Sequence, residues 1–453
     1  MYLLYSFFGM LALIALSPYF LWREIRGKKH LGNFWQRMGR LPKEITARAN
    51  GQASGTDAGS IWIHAVSVGE VLAAVPLARR LKDEFPRRAL FISTTTDTGQ
   101  AIARERIPWA TRFFYFPLDF AWVARRFLRA LRPAAIIIIE TEIWPHLLRE
   151  ARRVGVPVVF ANARISDKSF RNYRWTNRYL NGFIADALGN GAAFMAQSEE
   201  GARRLKELGA DESKIEVTGN LKYDLAAPPV GPFVQWLEMQ IRQQERWPVV
   251  VAGSVAADEE EAVLAAYDVV QRQWRRSLLV LAPRKPERFD GAAQIVSQGG
   301  WTVARRSHLS LSAPLAEDAD VLVLDSMGEL GGTYSLANAV FIGGSLISVG
   351  GHNLLEPAFF GRAPVFGPHM GNFQEMAAQF LAERAGVQVK SGEELGREWV
   401  RMIQQDAMRR GMGQNAISLV QRHRGATERT VARIRAIVRQ EPDTGANSAE
   451  FAG

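Results

Sequence analysis

Hydrophobic positions divide most of the chain into repeated strand, loop and helix units. From about residue 61 onward, short continuous apolar runs alternate with longer stretches of helical periodicity. The runs lie at 61–66, 89–92, 135–139, 156–161 and 194–196, and then at 249–252, 278–282, 321–324 and 340–342. Continuous Ile and Val runs indicate strands that are buried on both faces. The pattern therefore predicts parallel sheets built from right-handed βαβ units.

Interruptions of this pattern mark the domain boundaries. A proline-rich run at residues 226–232 separates two series of strands, which predicts two Rossmann-like domains facing a cleft. We expect an anchor at 1–22, a basic flank and flexible link at 23–60, a first domain at 61–225, a linker at 226–234, a second domain at 235–440 and a disordered tail at 441–453.

The first 22 residues carry no charge and are just long enough to cross a bilayer core, which takes about 20 apolar residues. Basic residues follow at positions 23, 26, 28, 29, 37 and 40. This order predicts a retained membrane-anchor helix with the main body on the cytoplasmic side. A cleaved signal peptide is disfavoured because the start is not basic. A helix lying in the membrane interface remains an alternative, because Pro18 interrupts a long span.

Charge and composition narrow the class of partner. A formal charge of +10 indicates an anionic partner, and the absence of cysteine excludes disulfides, thiolate metal sites and a Cys nucleophile. The histidines are scattered, so no obligatory metal is expected. No nucleic-acid-binding motif is present. The basic and aromatic residues at 171–179 suit a membrane or lipid-phosphate surface, and equally an exposed helix face.

In the first half, ionisable residues follow the ends of predicted strands, where open α/β sheets bind their ligands. Glu70 opens a helix after the strand at 61–66 and is a candidate general base. Glu140 leaves a buried strand, and it either shares the cleft with Glu70, caps the helix that starts near Trp144 or holds a neighbouring loop. Lys222 stands just before the linker, where it either neutralises a leaving phosphate or is an ordinary solvated lysine.

In the second half, glycine-rich loops suggest an anion site. Residues 343–345 follow a strand and residues 350–357 open a helix, so their N–H groups suit a phosphate. A capping box between Asn353 and Glu356 would use the same donors without a ligand. Arg284 also follows a strand, and either contacts a ligand or pairs with Glu287 on the surface.

Five segments together resemble the 3-deoxy-D-manno-octulosonic acid (Kdo) transferases of lipopolysaccharide assembly. They are residues 64–70, 140–145, 219–224, 283–284 and 353–356. The resemblance implies a GT-B fold with an acceptor-binding domain followed by a CMP-sugar-binding domain. It also implies an inner-membrane enzyme, facing the cytoplasm, that moves Kdo from CMP-Kdo to a hydroxyl of a lipid A precursor, lipid IVA, with inversion and without a metal or other cofactor.

The resemblance also assigns roles to individual residues. Glu70 matches the catalytic base, and Glu140 and Lys222 match residues that stabilise the transition state. The CMP-binding residues implied are Pro283, Arg284, Gly328, Glu329, Leu330, Asn353, Leu354, Leu355 and Glu356. The competing hypotheses are a nucleotide-sugar epimerase or UDP-sugar transferase of the same fold, and a membrane-tethered binding protein with a degenerate nucleotide cleft.

Overall fold

The computed structural model describes residues 1–25, 31–41 and 59–440, which form two compact units. The first unit contains the chain up to Leu225 and resumes at His423, and the second runs from Ala226 to Arg422. The division after Leu225 lies where the proline-rich run begins. Residues 423–440, which we expected in the second domain, belong to the first unit instead. Most of the expected link and the expected tail lie outside the described residues.

A seven-stranded parallel sheet forms the centre of the first unit. Its strands are β1 (Ser60–His64), β2 (Leu90–Thr94), β3 (Arg112–Tyr115), β4 (Pro133–Ile139), β5 (Val158–Ala163), β6 (Ala193–Ala196) and β7 (Ile215–Val217), in the order β3-β2-β1-β4-β5-β6-β7. The strand order reverses between β1 and β4, which are adjacent and buried along their whole length. Such a switch point is where doubly wound sheets bind ligands.

Helices connect these strands and cover both faces of the sheet. They are α1 (Tyr2–Ile25), α2 (Leu31–Arg37), α3 (Val68–Glu84), α4 (Asp97–Arg106), α5 (Ala121–Leu131), α6 (Pro145–Arg153), α7 (Asp167–Tyr179), α8 (Phe183–Gly189) and α9 (Glu199–Glu207). Hydroxyl side chains cap several of them, as Ser67 does at α3 by accepting from the Glu70 N–H. The cap places Glu70 in the first turn of α3, directly after β1.

The second unit repeats this architecture. Its parallel strands are β8 (Val249–Val255), β9 (Leu278–Pro283), β10 (Val303–Arg305), β11 (Val321–Val323), β12 (Ala339–Ile342), β13 (Pro364–Phe366) and β14 (Val387–Gln388), in the order β10-β11-β9-β8-β12-β13-β14. Its helices are α10 (Pro232–Gln243), α11 (Glu260–Gln273), α12 (Phe289–Gln298), α13 (Leu330–Thr333), α14 (Leu355–Ala358), α15 (Gln374–Ala382), α16 (Gly392–Gln404) and α17 (Asp406–Arg422). The switch point here lies between β8 and β12.

The last helix, α18 (Ala426–Gln440), packs on the first unit. Its apolar side chains Val431 and Ile434 are buried in the same core as Val71 of α3. Glu428 accepts two hydrogen bonds from the Arg80 guanidinium at the surface of this contact, at 2.5 and 3.1 Å. The burial of this apolar face accounts for the return of the chain to its first unit.

The N-terminal helix α1 occupies the position of the expected anchor. Its Ser6 hydroxyl lies 2.7 Å from Nε2 of His146, and Tyr2 packs edge-on against Phe183. Residues on another face are exposed, with Leu3 88% and Phe7 62% accessible. Within the part of the chain that the structure describes, no helix is long and apolar enough to cross a membrane. The expected membrane span is therefore not shown.

Candidate active site

Glu70 lies at the carboxyl end of β1 and folds back over the start of its own helix. Its Oε2 accepts a hydrogen bond from the Val66 N–H at 2.7 Å, and its Oε1 accepts one from the Ser67 hydroxyl at 2.9 Å. This arrangement is close to a capping box, in which a carboxylate in the first turn binds donors that precede the helix. The side chain is only 8% exposed. Its position is therefore fixed by two donors of known geometry.

The surroundings of Glu70 change its acidity. Burial raises its pKa from 4.5 to about 7, and the negative charges of Glu140 and, to a smaller extent, Glu142 act in the same direction. The hydrogen bonds from Val66 and Ser67 oppose this shift because they favour the ionised form. A carboxylate with a pKa near 7 is well matched to general base catalysis at neutral pH. Glu70 thus lies at the strand end where the sequence predicted it, and its role as a base stays a prediction.

Glu140 and Lys222 form an ion pair in the same unit. The Lys222 Nζ lies 3.4 Å from Oε1 of Glu140, and the two side chains are 15% and 24% exposed. Glu140 follows β4 with a backbone φ of 61°, an unusual conformation for a residue with a side chain. Lys222 lies in a short 3-10 helix, Leu221–Asp224, capped by the Asn220 side chain. Lys222 is therefore paired and only partly solvated, not an ordinary solvated lysine, and the contact of Glu140 with this turn agrees with the alternative in which Glu140 holds a neighbouring loop.

The helix after Glu140 is capped by a different carboxylate. Asp119 accepts hydrogen bonds from the N–H groups of His146 and Leu147, at 3.1 and 2.8 Å, in the first turn of α6. The alternative in which Glu140 caps this helix is therefore wrong. Asp119 could not be predicted as the cap, because no local pattern relates it to a helix that begins more than twenty residues later.

In the second unit, Arg284 follows β9 and has an exposed side chain. Its backbone N–H donates to the carbonyl of Val255 at 2.9 Å, which fixes Pro283 and Arg284 beside the end of β8. The guanidinium is near His352. Burial of the His352 imidazole and, to a smaller extent, the positive charge of Arg284 lower the pKa of that imidazole to about 4. Arg284 and a neutral His352 thus lie at the same edge of the second sheet.

The glycine loop after β12 already binds an anion, which is the carboxylate of Glu259. The N–H groups of Gly344, Ser345 and Leu346 donate to Glu259 at 2.5, 2.9 and 2.8 Å, and Ala256 N–H donates at 2.9 Å. Glu259 is only 1% exposed. The phosphate site that we expected at residues 343–345 is therefore wrong, because the chain's own side chain satisfies its donors. An acidic residue at the start of a helix is too common for the sequence to have indicated this contact.

Asn353 and Glu356 are in contact at the start of α14. The Leu355 N–H donates to Oδ1 of Asn353 at 3.1 Å, and the Asn353 amide nitrogen lies 3.5 Å from Oε1 of Glu356. Burial raises the pKa of Glu356 to about 7, against the opposing hydrogen bond from Asn353. Asn353 therefore accepts from one N–H at the start of α14, but the N-cap residue is Leu354, which makes no side-chain capping bond, and Glu356 contacts the Asn353 side chain rather than a backbone N–H.

The predicted loop at 328–330 lies next to this carboxylate. A Cβ added at Gly331 would be 3.9 Å from Oε2 of Glu356, so the start of α13 and the start of α14 are neighbours. Gly328 has a φ of 86°, which favours glycine. Both carboxylate oxygens of Glu329 accept hydrogen bonds from the Arg306 guanidinium, at 2.9 and 3.0 Å, and these bonds fix the conformation of the loop. The structure brings residues 328–330 and 353–356 together.

No cluster of three or more potential metal ligands occurs among the residues that the structure describes. The candidate residues described above are carboxylates, a lysine and an arginine. The first unit supplies a buried carboxylate with a raised pKa beside an ion pair, and the second supplies two neighbouring loops that follow β11 and β12.

Solved structures identify the fold of these two units. A putative UDP-N-acetylglucosamine 2-epimerase from Listeria monocytogenes matches with a TM-score of 0.56, at 11% identity, over 86% of this chain and 98% of that one. At this identity the likeness is one of fold alone. The two parallel α/β units therefore resemble the domains of GT-B proteins in fold.

Sequence relatives identify the family. Residues 32–225 match the family described as 3-Deoxy-D-manno-octulosonic-acid transferase (kdotransferase). The 3-deoxy-D-manno-octulosonic acid transferase of Bordetella pertussis is 32% identical over 93% of this chain and 96% of its own length. That of Haemophilus influenzae is 31% identical over 84% of this chain and 87% of its own. The chain belongs to the Kdo transferase family, and it is a glycosyltransferase of lipopolysaccharide synthesis.

Proposed function

We propose that this enzyme transfers Kdo from CMP-Kdo to a hydroxyl of lipid IVA, with inversion at the anomeric carbon and with Glu70 as the general base. The observation that carries the proposal is the state of Glu70. It is a buried carboxylate at a strand end, held by the Val66 N–H and the Ser67 hydroxyl, with a pKa raised to about 7. Such a group accepts a proton at neutral pH and returns it to solvent afterwards.

In the proposed reaction, ionised Glu70 removes the proton from the acceptor hydroxyl as its oxygen forms a bond to the anomeric carbon of Kdo. The bond from that carbon to the phosphate oxygen breaks, and CMP leaves with the electron pair. The Lys222 ammonium stabilises the negative charge that develops in the transition state, and Glu140 holds the ammonium in place through the ion pair at 3.4 Å.

The second unit provides the groups proposed to bind CMP. Glu356 offers carboxylate oxygens to the two ribose hydroxyls, and the loop at 328–330 adjoins it. Arg284 provides a planar cation for the phosphate or for the Kdo carboxylate. Because Glu259 occupies the N–H groups of the loop after β12, the donor phosphate depends on Arg284 rather than on that loop.

We further propose that the enzyme works at the inner membrane surface with its catalytic units facing the cytoplasm. The apolar side chains of Leu3, Phe7 and Ile14 are exposed on α1, at 88%, 62% and 62%. Trp175 on α7 is also 62% exposed, and it lies between Arg174 and Arg178 around a cavity of about 360 Å³. Exposed apolar and basic side chains together suit a surface of anionic lipid.

One reaction tests the proposal. The full-length protein is incubated with CMP-Kdo and a tetra-acylated lipid A precursor, and the product is weighed by mass spectrometry and its anomeric configuration determined by NMR. We expect Kdo addition with inversion by the wild type and a loss of about 10² to 10⁴ in kcat for Glu70→Gln. A retained configuration contradicts the mechanism. Lipid association without product supports the binding-protein hypothesis instead, and a larger thermal shift with UDP than with CMP contradicts the donor assignment.

A further inference from the structure

Asn162 has an unusual backbone at the carboxyl end of β5, next to the candidate site. Its φ is 59°, close to the 61° of Glu140 at the end of the neighbouring strand β4. The pairing between β5 and β6 shifts register between Phe160 and Ala163, so Asn162 lies within this irregularity. A bulge of this kind reorients side chains at the end of a strand. Left-handed backbone at two adjacent strand ends indicates that the surrounding contacts hold both residues there.

The contacts of Asn162 lead to the turn that carries Lys222. Its Oδ1 accepts a hydrogen bond from the Leu221 N–H at 2.9 Å, and its backbone carbonyl accepts one from the Gln197 amide at 2.9 Å. Gln197 in turn accepts from the Asn220 amide at 3.1 Å. Asn220 caps the turn by accepting from the Lys222 N–H at 3.0 Å. Asn162 therefore fixes the two residues that precede Lys222, one directly and one through Gln197.

The same segment fixes the partner of Lys222. The Glu140 N–H donates to the carbonyl of Ala161, the residue before Asn162, at 2.9 Å. The hydrogen bonds thus run from Asn162 to Lys222, across the ion pair to Glu140, and back to β5. Residues 161 and 162 therefore hold the segments that carry both charges of the pair. A displacement of residue 162 should change the distance between the two charges.

We propose that Asn162 is a positioning residue that sets the location of the Lys222 ammonium for transfer. The inference rests on the role proposed for Lys222. Asn162 is fully buried, so it acts through Lys222 and does not touch a substrate. Its amide nitrogen has no hydrogen-bond partner among the described residues. The side chain is thus retained in the interior for its oxygen, which anchors the Leu221 N–H, although its nitrogen is left unpaired.

Asn162→Gly tests the inference because glycine accepts the positive φ and removes only the side chain. We expect kcat to fall about tenfold to a hundredfold, as for a small misplacement of a catalytic group, while KM for CMP-Kdo is unchanged. Asn181→Gly is the matched control, since Asn181 is an exposed asparagine with a φ of 46°. It removes the same side chain from the same backbone conformation, and we expect no change in kcat.

A double-mutant cycle separates positioning from a merely structural role. If Asn162 acts through Lys222, then Asn162→Gly adds little to the loss caused by Lys222→Ala, whereas independent effects multiply. Gln197→Ala, which breaks the second link to Asn220, is a milder variant that should show the same dependence on Lys222. Multiplicative losses for both variants overturn the inference.

The proposed function and this inference fail in different ways. Absence of Kdo transfer by the wild type contradicts the proposed function. In that case the same cycle is measured by thermal unfolding, where the inference requires the effects of Asn162→Gly and Lys222→Ala to be non-additive. Additive changes in Tm then overturn it, whatever the substrate of the enzyme.

Discussion

Replacing Glu70 by glutamine removes a charge that the fold disfavours while preserving the local hydrogen bonds. The glutamine oxygen can accept from the Val66 N–H, as Oε2 does now at 2.7 Å. The glutamine nitrogen can donate to the Ser67 hydroxyl oxygen, which now donates to Oε1 at 2.9 Å. The substitution therefore isolates the effect of ionisation from that of packing. We expect it to abolish most of the activity and to stabilise the fold.

The size of the stabilisation follows from the pKa. A rise from 4.5 to about 7 means that folding disfavours the ionised carboxylate by on the order of 3 kcal/mol. Because the folded pKa lies above the unfolded one, the native state binds more protons between pH 4.5 and 7. Stability therefore falls as the pH rises through this window. The penalty is complete above pH 7 and absent below pH 4.5, so Glu70→Gln gains up to about 3 kcal/mol at pH 8 and almost nothing at pH 4.

Two measurements check this prediction. Urea unfolding at pH 4, 6 and 8 should show a gain for Glu70→Gln that grows with pH, whereas the exposed control Glu105→Gln should stay within about 0.5 kcal/mol of the wild type. The wild-type kcat/KM should fall about tenfold per pH unit below 7, because only the ionised base is active. A stability difference that does not depend on pH, or a rate that is level from pH 5 to 8, would refute the assignment of Glu70.

Three further substitutions test other parts of the structure. Glu259→Gln should destabilise the fold by on the order of 3 kcal/mol in urea unfolding, because an amide nitrogen then faces buried N–H groups; the exposed Glu261→Gln should be neutral. Arg284→Ala should raise KM for CMP-Kdo about tenfold or more without a change in stability, and the exposed Arg242→Ala should leave KM unchanged. Asp224 accepts hydrogen bonds from the N–H groups of Gly425 and Thr427 at the start of α18, at 2.7 and 2.6 Å. Asp224→Asn should therefore destabilise this end of the helix by about 1 kcal/mol, which faster amide hydrogen exchange there would show.

The strands that could be predicted are those with continuous apolar runs. The five runs of the first half correspond to β1, β2, β4, β5 and β6, because burial on both faces leaves an unambiguous pattern. β3 and β7 were missed. They lie at the two edges of the sheet, and their exposed positions dilute the apolar pattern. Edge strands can be short and polar because one side of their backbone faces no further strand.

Contacts between residues far apart in sequence could not be predicted. Glu259 fills a loop that follows 85 residues later, and Lys222 pairs with Glu140 across 82 residues. Glu140 and Lys222 were nevertheless identified as candidate site residues, because they match family segments. Glu259 was not, because nothing distinguishes it from other acidic residues at helix starts. Residues 423–440 were likewise expected in the second domain, because an apolar helix face does not by itself indicate which unit buries it.

The capping role of Glu70 and its proposed catalytic role are compatible, and the geometry explains why. Each carboxylate oxygen accepts one of the two hydrogen bonds, so lone pairs remain available for the proton of an acceptor hydroxyl. A carboxylate that served only as a helix cap would be more stable if it were solvated and ionised, with a pKa at or below its ordinary value. Burial beside Glu140 and Glu142 has the opposite effect and raises the pKa to about 7. Catalytic centres often hold like charges close together at a cost in folding stability. A purely structural cap does not require that cost.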